Sequence, residues 1–301
     1  MALQSEHTSH FTVHFPPPLD IPASLDIFRR SGDDGIDRWD GQVLLRTLRV
    51  ADRVVPFAAT VVGSIAAPAM QVSVAQDAPR LAVEHAVRTM FVTAPEDLTA
   101  LCAHDPVIAH LHTRYPGLRP VLQTDAFTAL IRAISAQQVN LQWATTTRRR
   151  LAETFGCLHT LGARQVWSLS STRLAQAEVA ALRALQFTTR KAEYMIGLAQ
   201  AVATQQLDLA VLHEQPDADV IARLTACRGL GQWTAEWFLA RALGRPRVVA
   251  GDLGVRKAIG AAYNHGVLPS AHEVQTLTAH WGAAAGVAQQ LVLHGLSQGF
   301  G

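Results

Sequence analysis

The apolar residues of this chain change their period at Tyr115-Pro-Gly-Leu-Arg-Pro120, and that change constrains the fold more than any other feature. Before the break, apolar residues come in short β-branched or alternating runs punctuated by Pro, Gly and Asp: Phe11-Thr-Val-His-Phe15, Val43–Val50, Pro56–Val62 and Met70–Val74. Runs of this length and composition predict four antiparallel strands, with helices at residues 23–30 and 79–91. After the break the spacing turns helical. Phe127, Leu130, Ile131 and Ile134 fall at i, i+3, i+4 and i+7 behind Asp125, a residue type suited to an N-cap. Further helices are read at about 141–155, 164–169, 174–184, 189–203, 218–227, 232–243, 253–263, 271–279 and 283–296. The expected fold class is α+β. A small N-terminal mixed antiparallel-sheet domain (residues 1–96) precedes a mostly helical, two-lobed domain (residues 97–301) with a helix-hairpin-helix at about 218–243.

Composition narrows the class of function. Half the residues are apolar (49%) and few are charged (17%), which fits a packed globular protein. The opening stretch MALQSEHTSH has neither a basic leader region nor an apolar one, and no apolar run is long enough to cross a bilayer. A soluble, cytoplasmic protein without membrane contact is therefore expected. Cys102, Cys157 and Cys227 are too scattered for a metal knuckle or a disulfide framework, and the 13 His residues show no HxxxH or HExxH spacing, so no metal and no cofactor is expected. The net charge of +2 is unevenly divided: residues 1–96 hold 8 Arg against 11 Asp and Glu (−3), and residues 97–301 hold 18 Lys and Arg against 13 Asp and Glu (+5). Arg supplies 24 of the 26 basic residues, and guanidinium forks match phosphate oxygens. A high-GC genome would enrich Arg as well.

The most informative segment is Leu224–Leu243, in which Gly229-Leu230-Gly231 separates two amphipathic helices. Glycines let such a hairpin turn tightly and approach a ligand, with the free amides of the second helix facing outward as a sequence-independent phosphate site. A plain αα-hairpin could use the same glycines. Beyond the second helix, Arg247-Val-Val-Ala-Gly-Asp-Leu-Gly-Val-Arg-Lys-Ala-Ile259 sets Asp252 at the mouth of a new helix, where Asp is also an ordinary cap.

Hairpin, helix, apolar connector and Asp, in that order, resemble the helix-hairpin-helix DNA glycosylases, and within them the bacterial 3-methyladenine DNA glycosylase II (AlkA) type. The likeness extends to Phe11–Phe15 with its following prolines, Pro116-Gly-Leu-Arg119, Asp125-Ala-Phe127, Arg132-Ala-Ile-Ser-Ala-Gln-Gln-Val139, Leu182–Leu185 and Arg190–Glu193. The resemblance implies a monofunctional glycosylase, a nucleoid-associated monomer, acting in base excision repair on double-stranded DNA that contains alkylated bases of the 3-methyladenine and 7-methylguanine type. Asp252 is then the catalytic carboxylate. Trp233, Trp237 and Gln137 line the base pocket, and Gly229, Gly231, Gln138 and Thr234 contact DNA. Core packing is the competing role for Trp233 and Trp237.

An alkylated purine already carries positive charge and leaves without a general acid, so one carboxylate suffices to stabilise the sugar cation and orient a water. Such a base must first be extruded from the stack. Bifunctional relatives carry a lysine nucleophile on the second hairpin helix; the matching residue here is Trp233, which excludes a Schiff base by that route. A four-cysteine iron–sulfur site is also lacking. The chain departs from the type at Leu253, Leu293 and Trp281-Gly-Ala-Ala-Ala-Gly286, which implies a more open, less aromatic pocket. The alternatives are a non-catalytic helix-hairpin-helix protein that binds damaged DNA, and a helical metabolic enzyme using its histidines.

Overall fold

A computed structural model describes residues 8–300; residues 1–7, where the leader reading began, and residue 301 lie outside it. The first part of the chain runs β1 (Thr8–His14), α1 (Ile21–Leu25), α2 (Ile27–Arg30), β2 (Arg38–Trp39), β3 (Val43–Val50), β4 (Arg53–Val61), β5 (Ala69–Ala75) and α3 (Arg80–Arg88). The five strands form one antiparallel sheet in the order β1-β5-β4-β3-β2, so the four expected strands gain a two-residue edge strand. Alternation decides the faces: Phe11 and Val13 of β1 pair with Val72 and Met70 of β5, and all four point into a core closed by Val83 and Val87 of α3.

The helical part comprises α4 (Pro95–His104), α5 (Pro106–Arg114), α6 (Ala126–Ala136), α7 (Leu141–Phe155), α8 (Ser171–Ala175), α9 (Val179–Ala184), α10 (Thr189–Ala203), α11 (Asp217–Thr225), α12 (Gln232–Arg241), α13 (Leu253–Tyr263), α14 (Ala271–Thr278) and α15 (Ala285–Ser297). Side-chain caps set several starts: Asp125 accepts from Thr128 N at 2.7 Å, Asn140 from Trp143 N at 2.8 Å, and Ser270 with Glu273 forms a capping box. Two cores result. The predicted stripe of α6 packs with α10 and α12, while α4 and α5 pack with α13 and α15. Buried Asp105 fastens the second group: it caps α5 and also accepts from Tyr263 Oη at 2.7 Å, His280 Nε2 at 2.8 Å and Trp281 Nε1 at 3.3 Å. Among the described residues no helix is long and apolar enough to cross a membrane, and no group of His, Cys, Asp and Glu is placed to hold a metal.

One expected helix is a strand. Arg164–Leu169 forms β7, paired with β6 (Gly156–Leu161) in a hairpin that turns at Gly162, where φ is +58°. A six-residue run fits either period; tertiary packing decides, because Leu161 and Val166 bury against Val43, Leu45 and Ala58 of the larger sheet. The expected helix 174–184 is also broken, into α8 and α9.

A buried charge network ties the sheet to the helices. Asp34, on the loop after α2, meets Arg132 of α6 at 2.9 Å and Arg148 of α7 at 3.0 Å; Asp37 meets Arg132 at 2.6 Å and Arg46 of β3 at 2.5 Å. Both carboxylates and Arg46 are almost fully buried, so each charge depends on its partner.

Candidate active site

The turn between α11 and α12 adopts the geometry that its glycines permit. Gly229 has φ +93°, and a Cβ there would lie 2.2 Å from the ring of Tyr194, so any side chain is excluded twice over. Leu230 points inward, 3% exposed, and anchors the turn. Gly231 caps α12 without a side-chain acceptor, which leaves the first amides of a ten-residue helix available to an external anion. Gln137, at the end of α6, donates through Nε2 to Gly229 O at 3.0 Å. The next residue, Gln138, is exposed and held at φ +55°, an uncommon conformation for a residue with a Cβ.

Asp252 serves two structures at once. Its Oδ1 accepts from Val255 N at 3.0 Å and so caps α13, while Oδ2 accepts from Trp233 Nε1 at 3.2 Å. Both carboxylate oxygens are thereby fixed, and the half-buried group lies in the wall of a cavity of about 330 Å³. A Cβ on Gly254 would stand 3.0 Å from Asp252 Oδ1, so glycine there keeps clear the space beside the carboxylate. A fixed anion in a partly desolvated hollow can stabilise positive charge that develops on a bound molecule.

The cavity is walled from both parts of the chain. Trp233 and Trp237 of α12 share the wall with Gln289, Gln290 and Leu293 of α15, and Phe28 of α2 with Asp34 contributes from the N-terminal part. Arg241 of α12 also faces the cavity, although only 8% of it is exposed. Burial lowers its pKa to about 10, with Asp252 acting in the opposite direction. The cavity is thus bounded by indoles on one helix, a carboxylate at the mouth of the next, and a cation one helical turn beyond Trp237.

A sequence model of the HhH-GPD superfamily of base excision DNA repair proteins matches residues 131–283, half of the chain, and includes the hairpin and Asp252. The chain belongs to this superfamily. A DNA-3-methyladenine glycosylase of Bacillus subtilis (strain 168) is 28% identical over 179 residues, 59% of each chain. DNA-3-methyladenine glycosylase 2 of Escherichia coli (strain K12) is 31% identical over 134 residues, 44% of this chain and 47% of that one. The matched segments thus span from about half to three fifths of these relatives. The solved 3-methyladenine DNA-glycosylase from Archaeoglobus fulgidus shares the fold over nearly its whole length, with a TM-score of 0.84 and 22% identity, covering 95% of this chain and 98% of that one.

Against the site expected of such a family member, the structure brings Trp233, Trp237 and Asp252 together around one cavity, with Gly229, Gly231 and Gln138 on the hairpin side. Two expected residues are placed elsewhere. Gln137 does not line the cavity, because its amide is bound to the hairpin carbonyl. Thr234 is 1% exposed, packed into the inner face of α12, so its hydroxyl does not reach a phosphate. Leu293 does line the cavity, whereas Leu253 points away, 53% exposed. The sequence reading overlooked Phe28, Asp34, Arg241 and Gln290. Arg241 resembles a routine basic residue in a helix's last turn, and only its helical offset from Trp233 and Trp237 signals the same wall.

Proposed function

We propose that this chain is a monofunctional DNA glycosylase that hydrolyses the N-glycosidic bond of alkylated bases in double-stranded DNA. The observation that carries the proposal is Asp252, held by Trp233 Nε1 and Val255 N in the wall of a hollow next to an amide-presenting hairpin. The relatives named above as DNA-3-methyladenine glycosylases support the same reading.

Each part has a physical task in this account. The hairpin amides bind backbone phosphate, giving an affinity that falls with salt at a log–log slope of about −0.9 per phosphate neutralised. Gln138, exposed and backed by the Gln137–Gly229 bond, enters the space left by the extruded nucleotide. The base lodges against Trp233 and Trp237, whose ring faces attract a cationic alkylpurine. As the C1′–N bond breaks, its electron pair goes to the base, and the Asp252 carboxylate stabilises the cationic sugar until water adds to C1′.

The positions of the two lysines support a reading without strand cleavage. The chain has two lysines: Lys191 donates to Ser135 O at 2.9 Å, Lys257 is exposed on α13, and neither lines the cavity. No lysine is therefore placed to form a Schiff base with the sugar. The deciding experiment incubates the protein with methylated duplex DNA and analyses released bases and trapped adducts. The reading requires free methylated base with intact abasic strands and no borohydride-trapped protein–DNA adduct. Binding without base release would favour a non-catalytic damage-binding protein, and trapped adduct in high yield would refute the monofunctional assignment.

A further inference from the structure

Between α12 and α13 the chain runs from residue 242 to residue 252 without helix or strand, so the place of Asp252 depends on how that connector is held. Its last four residues close a turn in which Asp252 N donates to Val249 O at 3.0 Å. Val249 is 1% exposed, and its own N–H finds an acceptor in a side chain, Gln289 Oε1 of α15, at 2.7 Å. Gln289 is itself 2% exposed. A buried amide that depends on one side-chain oxygen is fixed against the helix that carries it, because without that oxygen the N–H would be left desolvated and unpaired.

The next residue braces the same helix to the opposite wall. Gln290 Oε1 accepts from Arg241 Nη2 at 3.1 Å, and Arg241 stands on α12 with Trp233 and Trp237. Trp233 Nε1 in turn donates to Asp252 Oδ2 at 3.2 Å. These bonds close a ring around the cavity: α12 reaches Asp252 through Trp233, Asp252 reaches α15 through the turn and Gln289, and α15 returns to α12 through Gln290. Arg247 ties the connector to Asp217 and Glu236 farther back, whereas Gln289 acts at the turn itself.

We infer that Gln289 is a positioning residue for base excision: by holding Val249 N to α15 it sets the turn that aims the Asp252 carboxylate into the cavity. This inference rests on the glycosylase reading and deepens it. A fixed anion stabilises a developing sugar cation best when it need not move as the charge appears, and a misplacement of about 1 Å can cost on the order of a hundredfold in rate. The residue type suits the task. Gln offers a neutral acceptor at this reach, whereas Lys and Arg have no acceptor and Glu would add a second negative charge to the wall that holds Asp252. Trp233 and Val255 still hold the carboxylate oxygens when Gln289 is lost, so the shift, and with it the loss of rate, is partial.

The test measures single-turnover excision from methylated duplex DNA, and binding to the same duplex, for Gln289→Met in the wild-type and Asp252→Asn backgrounds. Met keeps the length of the side chain and lacks the amide oxygen. In the wild-type background excision should slow about tenfold, while affinity for the duplex changes by less than about twofold. In the Asp252→Asn background no carboxylate is left to aim, so Gln289→Met should cost less than about twofold further, because substitutions that act through one group are not additive. A merely structural role would slow both backgrounds alike. Gln289→Asn keeps a carboxamide but withdraws it by one methylene, so it reports even if Gln289→Met does not fold; the same pattern is expected. Equal losses in the two backgrounds, or no loss in the wild type, would overturn the role of Gln289. Release of no methylated base by the wild type would instead overturn the glycosylase reading and the inference with it.

Discussion

Replacing Asp34 by Asn isolates the charge that holds the N-terminal loop against the cavity. The carboxylate is 3% exposed; its Oδ1 accepts from Ile36 N at 3.1 Å and Asp37 N at 3.2 Å, and its Oδ2 meets both Arg132 and Arg148. Asn preserves the Oδ1 contacts but can set an NH₂ group against two guanidinium forks. Arg148, whose pKa burial already lowers to about 10, loses its carboxylate partner. Removing one partner from such a network costs about 3–5 kcal/mol. With an unfolding entropy of about 2.1 cal/mol/K per residue, a chain of 301 residues should lose roughly 5–8 °C of Tm.

Acid adds an independent check on the same carboxylate. Burial pushes its pKa up, but Arg132, Arg148 and the Ile36 amide prevail and lower it from 3.8 to about 2. A depressed folded-state pKa contributes stability above the unfolded value and loses it as pH falls from about 4 through 2, some 2 kcal/mol in all. Thermal unfolding of wild type and variant at pH 7, and stepwise below pH 4, should show a constant gap that then narrows. A variant within a degree of wild type at pH 7, or a gap unchanged down to pH 2, would refute the reasoning.

Two glycine substitutions probe the other parts of the site. Gly229→Ala forces a side chain into φ +93° against Tyr194, so binding to undamaged duplex, read by fluorescence anisotropy, should weaken about tenfold or more; unchanged affinity would remove the hairpin from the interface. Gly254→Ala presses a methyl to 3.0 Å from Asp252 Oδ1, so base release should slow about tenfold or more while Tm stays within a few degrees. Wild-type rates in that variant would mean the carboxylate tolerates displacement.

What was legible in the sequence was local. Gly229 and Gly231 sit between two helical stripes, and Asp252 follows a short apolar connector, so both the turn and the cap are written in neighbouring residues. The cavity's second wall was illegible because it is assembled across the chain: Phe28 and Asp34 reach Trp233 and Arg241 only after the Asp34–Arg132–Arg148 network docks the two parts. Arg164–Leu169 misled for a related reason, since its partner surface is the far sheet rather than a neighbouring helix. Gln137 and Thr234 were assigned by position in a motif, and motif position does not say which way a side chain turns. The hydrogen bond to Gly229 and the burial of Thr234 decide that.

Asp252→Asn tests the central claim most directly, because Asn caps a helix about as well as Asp and the substitution removes little besides the charge. The single Asn oxygen still accepts from Val255 N and keeps the cap, while its NH₂ group replaces the oxygen that accepted from Trp233 Nε1, so the fold should be retained with a loss of about 1 kcal/mol for that one hydrogen bond. Single-turnover excision from a methylated duplex should fall on the order of a hundredfold or more. Equilibrium binding to the same duplex should persist or tighten, as one negative charge is withdrawn from beside a polyanion. A variant that binds, folds and still excises at near wild-type rate would reduce Asp252 to a helix cap and contradict the account.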